Sequence, residues 1–427
     1  MKRQTVMAFC AAALLALAVP GERDADAAAA AQANWITSWA ATPAPRWGSE
    51  MPAPFGVPES LDGVTIRQVA RVSVGGSKVR IVLSNEFGAE PLTIGAGSVA
   101  LAGKNGALAG AGAARLTWGG RSSVVVPPGA PIVSDPVDLT VAPLASLAVS
   151  LYLPQKAALT SVHWDGAQTA YISAPGDFTA SAAFPAASTL KQRLFLSGIQ
   201  VDAKPGSHAI VFFGDSITDG ACSTADTNGR WPDHIAERLQ AGGYSNIAVV
   251  NEAYSGDRVL SNGMGINALA RLNADVLSQP GASTVVLMMG INDIGWPGKK
   301  SITPGDKEPT ADDILVGYQQ IIDRVHAAGL RIVGATLTPF TDTSKGAPTE
   351  GYYTPEKEKI RQAVNQWIRT SGRFDGVIDF DRLMEDPALP GHMRSAYDCG
   401  DHLHPNDAGY AAMASAVDLG LLLKAPE

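Results

Sequence analysis

The chain changes its pattern of apolar residues near residue 205, and this change limits the folds that it can adopt. Beyond it lie short apolar runs typical of buried strands, at 208–213, 247–250, 283–289, 331–337 and 377–380. They alternate with segments of helical period, at 230–240, 311–328, 355–369 and 407–423. Strands that alternate with helices favour a parallel sheet covered on both faces. We therefore predict an α/β domain over residues 206–427.

The residues before this point carry strand patterns and no sustained helical period. We predict strands at 64–74, 78–87, 122–126 and 147–153, and two more near Ala170 and at 193–201. Turn signals such as Gly75-Gly76 separate them. Many short strands with frequent turns predict an all-β sandwich or a jelly-roll-like domain over 30–205. We place its end at Lys204-Pro205-Gly206.

The N-terminus has the pattern of a secretory signal peptide. Lys2 and Arg3 precede an apolar run of 14 residues at 6–19, and small residues follow at 25–31. The run is short for a membrane span of roughly 20 residues. We predict a signal peptide over 1–29 and a secreted or periplasmic protein, with a membrane anchor as the alternative. No second apolar stretch of spanning length follows, so we expect no stable membrane insertion.

Composition and charge exclude two classes of protein. The chain is 46% hydrophobic, which excludes a disordered protein, and its 427 residues suit two domains. The net charge of -8 argues against a nucleic-acid partner. The charge is concentrated at 208–427, where 18 basic and 28 acidic residues leave a net charge of -10. A neutral substrate suits this half better than an anionic surface.

Two cysteines, Cys222 and Cys399, lie beyond the signal peptide. In an oxidising compartment such a pair favours a disulfide. Two buried free thiols are the alternative.

Polar residues that could act together lie where predicted strands end. Ser216 follows the strand at 208–213, and Gly214 lets the chain turn sharply there. Asp401 and His404 are three residues apart in a loop, a spacing that can set a carboxylate against Nδ1 and leave Nε2 free as a base. Alone, each of these blocks is also typical of a turn or a helix cap.

Two other loops carry candidate oxyanion donors, and a metal site is an alternative for the histidine loop. Gly256 and Asn292 follow strand-like runs, and a backbone N–H and a side-chain amide could bind a developing oxyanion. Each is also a common turn. A metal site of Asp401, His402 and His404 is a further alternative, but zinc would need another ligand.

The four blocks together resemble the SGNH, or GDSL-type, hydrolase family over about 208–427. Gly214-Asp215-Ser216, the glycine at 256, the Gly-x-Asn-Asp block at 290–293 and the Asp-x-x-His-Pro block at 401–405 occur in the family's order. The resemblance implies a three-layer α/β/α fold, with Ser216 as nucleophile, His404 as base and Asp401 as its orienting partner. It implies an oxyanion hole from the N–H groups of Ser216 and Gly256 and the amide of Asn292, without cofactor or metal.

The first half also looks like the β-domain that precedes such hydrolases in some secreted bacterial members. Residues 35–39 and 83–88 carry this weaker resemblance.

From this resemblance we expect a secreted serine carboxylic-ester hydrolase. The leading version cleaves short acyl esters of small molecules or acetyl groups on polysaccharide. A lipase or lysophospholipase is the first alternative. A glycan-binding module without activity and an acyltransferase are the others. The oligomeric state leaves no signal in the sequence.

Several further residues would surround such a site. Cys222 lies six residues after Ser216, and Cys399 two before Asp401, so a disulfide would hold the nucleophile loop to the histidine loop. Trp231 is a candidate substrate contact, with packing in the core as the alternative. His402 is another, and it could equally face solvent. The segment 295–306, with Lys299 and Lys300, is a candidate gating loop or an ordinary surface loop.

Overall fold

A computed structural model describes residues 33–47, 56–110, 112–298, 303, 305–344 and 350–424. The expected signal peptide and both Lys299 and Lys300 lie outside these residues. Asn34–Glu427 form one compact unit. The domain boundary at 205 stays a prediction.

The first half consists mostly of antiparallel strands, as expected. They are β1 (Trp35–Ala40), β2 (Ala44–Pro45), β3 (Ser60–Leu61), β4 (Val64–Arg71), β5 (Val79–Ser84), β6 (Leu92–Ile94), β7 (Ala96–Leu101), β8 (Ala114–Arg115), β9 (Val124–Val126), β10 (Pro131–Val133), β11 (Ser146–Leu153), β12 (Ala157–Ala158), β13 (Ser161–His163), β14 (Ala170–Pro175), β15 (Ala186–Leu190), β16 (Arg193–Leu194) and β17 (Leu196–Asp202). The larger sheets have the orders β15-β14-β4-β11-β7-β8 and β1-β17-β5-β10. A jelly-roll path for the chain stays a prediction.

The alternation of buried and partly exposed side chains explains why these segments form strands. In β5 the side chains of Val79, Ile81 and Leu83 are fully buried, whereas Arg80 and Val82 are partly exposed. Strand β4 pairs with β11 along its whole length, from Val64 opposite Leu153 to Arg71 opposite Ser146. The expected strand at 193–201 is divided, because Phe195 has a φ of 61° between β16 and β17.

The second half alternates strands and helices. Its elements are β18 (His208–Gly214), α1 (Ser216–Asp219), α2 (Trp231–Ala241), β19 (Ile247–Asn251), α3 (Ala268–Leu272), β20 (Ala282–Met288), α4 (Ile291–Gly295), α5 (Ala311–Ala327), β21 (Arg331–Ala335), α6 (Pro355–Thr370), β22 (Gly376–Ile378), α7 (Phe380–Met384), α8 (Asp407–Ala416) and α9 (Leu419–Leu423). The strands form a parallel sheet of order β19-β18-β20-β21-β22. The expected parallel α/β sheet is confirmed.

The strand order places a crevice beside the end of β18. The chain leaves β18 for the edge strand β19 and then returns to β20 on the other side, so the loops after β18 and β20 diverge. Ligands of open α/β sheets bind at such a point. The helices form two groups, one in which α2 packs on α8 and one in which α5 packs on α6 and α3. Right-handed crossovers in opposite directions put such groups on opposite faces.

One helix prediction is wrong in its extent. The segment 407–423 is divided into α8 and α9, because Val417 is extended and Asp418 caps the second helix by accepting a hydrogen bond from the N–H of Gly420.

Hydrogen bonds join the two halves of the chain. The hydroxyl of Thr42 donates to Glu252 over 2.6 Å, and Arg71 pairs with Glu237 over 2.6 Å. Apolar side chains of both halves also belong to one continuous core. Within the described ranges, no helix is both long and apolar enough to cross a membrane.

Candidate active site

The turn after β18 presents Ser216 at the carboxyl end of the parallel sheet. Asp215 caps α1 by accepting a hydrogen bond from the N–H of Ile217 over 3.1 Å. Because Gly214 has no side chain, Thr218 and Met288 can lie close to it. A Cβ at this position would lie 2.5 Å from Oγ1 of Thr218 and 2.8 Å from the carbonyl oxygen of Met288. Ser216 is the first residue of α1, and 6% of it is exposed.

The structure brings Ser216, His404 and Asp401 together in a hydrogen-bonded row. Oγ of Ser216 lies 2.7 Å from Nε2 of His404, and Nδ1 of His404 lies 2.5 Å from Oδ2 of Asp401. Oδ1 of Asp401 accepts the N–H groups of Leu403 and His404 over 2.9 Å and 2.8 Å. The carboxylate therefore holds both its own loop and the imidazole, in the arrangement of a nucleophile and base.

Asp401 and His404 each stabilise the charged form of the other. Burial favours the neutral form of Asp401, but the bonds and charge of His404 outweigh burial and lower the pKa of Asp401 to about 2. Burial would lower the pKa of His404, but its hydrogen bond to Asp401 and the charge of Asp401 outweigh burial and raise it above 6.5. The imidazole is thus a stronger base than a free histidine, as proton removal from a hydroxyl requires.

The proposed oxyanion donors lie beside Ser216. In the described part of the chain, the N–H groups of Ser216 and Gly256 donate to no protein acceptor. Nδ2 of Asn292 donates to the carbonyl of Asp257 over 3.0 Å, which leaves its second hydrogen for another acceptor. The hydroxyl of Tyr352 donates to Oδ1 of Asn292 over 2.7 Å and so fixes which end of the amide bears hydrogens.

Two carboxyls next to these groups hold backbone. Asp293 accepts the N–H groups of Val259 and Leu260 over 2.7 Å and 2.9 Å, and this anchors the loop that follows Gly256. Burial raises the pKa of Asp293 to about 6 and that of the helix-capping Asp215 to about 7.

A cavity of about 590 Å³ opens beside Ser216. Its wall contains Ser216, Gly256, Asn292, Asp401 and His404. It also contains Trp296 of the segment 295–306 and residues to which we assigned no role from the sequence: Trp47, Trp164, Asp165, Lys191, Gln192, Ser255, Met264, Tyr352 and Leu403. Several of these belong to the β-rich first half. They are far from Ser216 along the chain, and no motif marks them.

Two expected substrate contacts lie elsewhere. The prediction that Trp231 lines the pocket is wrong, because its ring is fully buried and packs edge-on against Phe212 and Phe380. His402 is outside the cavity wall and half exposed, and its Nδ1 lies 2.7 Å from Oδ2 of Asp398. Trp296 lines the cavity at the start of the segment 295–306, whose role as a gate stays a prediction.

The described residues do not provide a complete ligand set for a metal site at Asp401, His402 and His404. There the candidate group is Cys222, Asp401 and His404, whose ligand-type atoms lie within 4.8 Å of one another. The sulfur of Cys222 is bonded to another sulfur, and His402 faces Asp398 instead.

A disulfide joins Cys222 to Cys399, with Cα atoms 6.3 Å apart. The loop after α1 also contacts α8, the helix that follows the histidine loop, because the hydroxyl of Tyr410 donates to the carbonyl of Ala221 and that of Thr224 donates to Asp407. The disulfide is thus one of several links across the site.

We expect loss of this disulfide to lower stability more than activity. The bond closes a loop across 177 residues of sequence, so its removal should lower the free energy of unfolding by about 3 to 5 kcal/mol. The other links remain, and we expect kcat to fall less than about tenfold. Urea unfolding and ester hydrolysis of a Cys222→Ser, Cys399→Ser double variant measure both. Alkylation of two thiols in the native, unreduced protein would contradict the disulfide.

Comparison with known proteins gives one family match. Residues 212–412 match the family described as GDSL-like Lipase/Acylhydrolase. No curated protein matches the chain.

Several solved structures are similar to about half of the chain. An acetyl xylan esterase, AlAXEase, is 19% identical over 49% of this chain and 96% of its own, with a TM-score of 0.37. The lipase/acylhydrolase from Enterococcus faecalis is 22% identical over 52% and 98%, with a TM-score of 0.39. Est24, a carbohydrate acetylesterase from Sinorhizobium meliloti, is 16% identical over 49% and 96%, with a TM-score of 0.38.

Proposed function

Because residues 212–412 belong to the GDSL-like lipase/acylhydrolase family, and the protein is therefore a carboxylic ester hydrolase, we propose that it is a secreted serine esterase acting on short acyl esters. The observation that carries the proposal is the contact of 2.7 Å between Oγ of Ser216 and Nε2 of His404, at the wall of an open cavity.

The reaction proceeds through an acyl-enzyme. Oγ of Ser216 attacks the ester carbonyl while Nε2 of His404 takes the hydroxyl proton. Asp401 stabilises the imidazolium that forms. The tetrahedral oxyanion accepts hydrogen bonds from the N–H groups of Ser216 and Gly256 and from the amide of Asn292.

Collapse of this intermediate expels the alcohol, which takes its proton from His404. Water then attacks the acyl carbon while His404 takes one of its protons, and His404 returns that proton to Oγ of Ser216 as the bond to the acyl group breaks and the acid leaves. His404 takes up or returns the proton in every proton transfer of this scheme.

The cavity and the charge of the second half favour small neutral substrates. A volume of about 590 Å³ suits a compact ester. The net charge of -10 over 208–427 disfavours anionic lipid. Polar groups of Asp165, Lys191 and Gln192 in the wall would suit the hydroxyl groups of an acetylated sugar. We propose secretion on the N-terminal pattern, and the disulfide suits an oxidising compartment.

A lipase or lysophospholipase is the second candidate. The cavity wall also contains Trp47, Trp164, Met264, Trp296 and Leu403, and such apolar groups suit a longer acyl chain.

A substrate panel distinguishes the two. We expect turnover of 4-nitrophenyl acetate and of acetylated xylan or pectin, and a fall of about tenfold or more between the butyrate and the palmitate ester, because a long chain outgrows the cavity. Rates that rise with chain length would contradict the short-acyl proposal and favour the lipase. Product analysis with added alcohols separates hydrolysis from acyl transfer.

A further inference from the structure

A buried histidine of the first half contacts the proposed oxyanion loop. His163 ends β13, and 5% of it is exposed. Its Nδ1 lies 3.0 Å from the carbonyl oxygen of Thr42, and its Nε2 lies 3.0 Å from Oδ1 of Asp219. Asp219 is equally buried and is the last residue of α1, the helix that begins with Ser216.

The two contacts determine how many protons this pair holds. A carbonyl oxygen only accepts, so Nδ1 of His163 must carry a hydrogen. The contact between Nε2 and Oδ1 then needs one further hydrogen, which either His163 or Asp219 holds. In both cases the pair has no net charge. His163 thereby allows Asp219 to remain buried without an uncompensated charge.

The other oxygen of Asp219 holds the residue before Gly256. Oδ2 of Asp219 accepts the N–H of Ser255 over 3.0 Å, and the Ser255 hydroxyl lies 3.1 Å from the same oxygen. That hydroxyl is also 3.1 Å from Oδ2 of Asp165, and it has only one hydrogen to share between the two carboxyls. For the backbone N–H of Ser255, by contrast, Asp219 is the acceptor in the described structure.

His163 also packs against the same loop directly. Its ring meets the ring of Tyr254 edge-on, with centroids 5.8 Å apart and planes at 78°. The loop has little room to move, because Gly256 has a φ of +77° and a Cβ there would lie 2.1 Å from Sδ of Met264. A displaced Ser255 would therefore turn the N–H of Gly256 away from its place.

We propose that His163 is a positioning residue for the oxyanion hole, acting through Asp219 and Ser255 on the N–H of Gly256. This inference rests on the proposed function, since it needs Ser216 as nucleophile and Gly256 as donor. It assigns a positioning role to the β-rich half of the chain: β13 supplies the hydrogen-bond donor that holds Asp219, and through Asp219 the oxyanion loop, in place. A misplaced donor loses much of its effect, because the stabilisation depends on preorganised geometry.

Two substitutions separate the two hydrogen bonds of His163. In His163→Asn the amide nitrogen replaces Nδ1 and can still donate to Thr42, but nothing reaches Asp219. In His163→Gln the amide nitrogen replaces Nε2 and can donate to Asp219. Both variants bury one amide in place of the imidazole, so their costs in folding are matched.

We expect the asparagine variant to lose kcat on 4-nitrophenyl acetate by about 10- to 100-fold with KM changed less than about threefold. We expect the glutamine variant to stay within about threefold of the parent kcat. The affinity for phenylboronic acid, which forms a tetrahedral adduct on a serine, should fall with kcat in the asparagine variant alone. If His163 had only a structural role, kcat would fall equally in both variants.

Arg71→Met is the control for a general weakening between the halves. It removes the ion pair to Glu237, which joins the halves away from the cavity, and should leave kcat unchanged. Equal kcat in the asparagine and glutamine variants would overturn the proposal. Should either fail to fold, Asp219→Ala tests the same link from its other end, and an unchanged kcat there would also overturn it. Ser216→Ala tests the proposed function separately, because an active alanine variant would refute the nucleophile itself.

Discussion

Replacing Ser216 by alanine is expected to abolish ester hydrolysis while the protein stays folded. The hydroxyl is the group that would bond to the acyl carbon, and Nε2 of His404 lies 2.7 Å from it. Loss of a serine nucleophile leaves only the oxyanion donors and substrate binding, so kcat should fall by about 10⁴- to 10⁶-fold. Initial rates on 4-nitrophenyl acetate measure the loss, and the thermal unfolding midpoint measures the fold.

A serine in the next loop gives the matched control. The hydroxyl of Ser223 makes no hydrogen bond among the described residues, and the loop lies directly after α1. Ser223→Ala should keep the parent kcat. A fluorophosphonate should add its mass to the parent protein and to Ser223→Ala but not to Ser216→Ala. Hydrolysis or labelling that persists in pure, folded Ser216→Ala would exclude Ser216 as nucleophile.

Replacing Asp401 by asparagine should lower kcat by about 10⁴-fold with little change in the loop. The asparagine oxygen can still accept the N–H groups of Leu403 and His404, as Oδ1 of Asp401 does. Its nitrogen then faces Nδ1 of His404 as a donor. Nδ1 must become the acceptor, the proton moves to Nε2, and Nε2 can no longer take the proton of Ser216.

The pH dependence checks the cause of that loss. In the parent protein the pKa of His404 is raised by Asp401, so kcat/KM should increase with pH through a midpoint above 6.5. In Asp401→Asn the residual activity should have a lower midpoint, because the negative charge is gone. The neighbouring Asp398 pairs with His402 rather than with His404, and Asp398→Asn should keep the parent profile. An unchanged midpoint in Asp401→Asn would contradict this role for the carboxylate.

The pairing of Asp401 with His404 could be predicted from the sequence, because both belong to one short loop. Three residues separate them, and the loop closes on itself through the carboxylate. The position of Ser216 was predictable for a similar reason, since an apolar strand before it and a glycine beside it determine where the chain turns. The oxyanion roles of Gly256 and Asn292 stay predictions, although both line the cavity with Ser216.

Other features of the site have no local signal. Tyr352 orients the amide of Asn292 across 60 residues of sequence, and nothing near either residue indicates the contact. At Trp231 a local signal was present but misleading. Its place beside the nucleophile block suggested a pocket residue, but it opens an amphipathic helix whose apolar face, with Trp231 on it, packs into the core.

The sequence by itself determined the parts of this protein that depend on near neighbours. The period of the apolar residues distinguishes the β-rich half from the α/β half, and motif spacing places the loops of Ser216 and His404 at strand ends. The tertiary structure alone decided that Trp47 and Asp165 of the first half line the same cavity as Ser216, and that His163 contacts Asp219 at the end of α1. Local patterns specify elements and turns through short-range sterics and hydrogen bonds. Contacts between distant elements arise only when their apolar faces pack, and several different packings are compatible with the same local patterns.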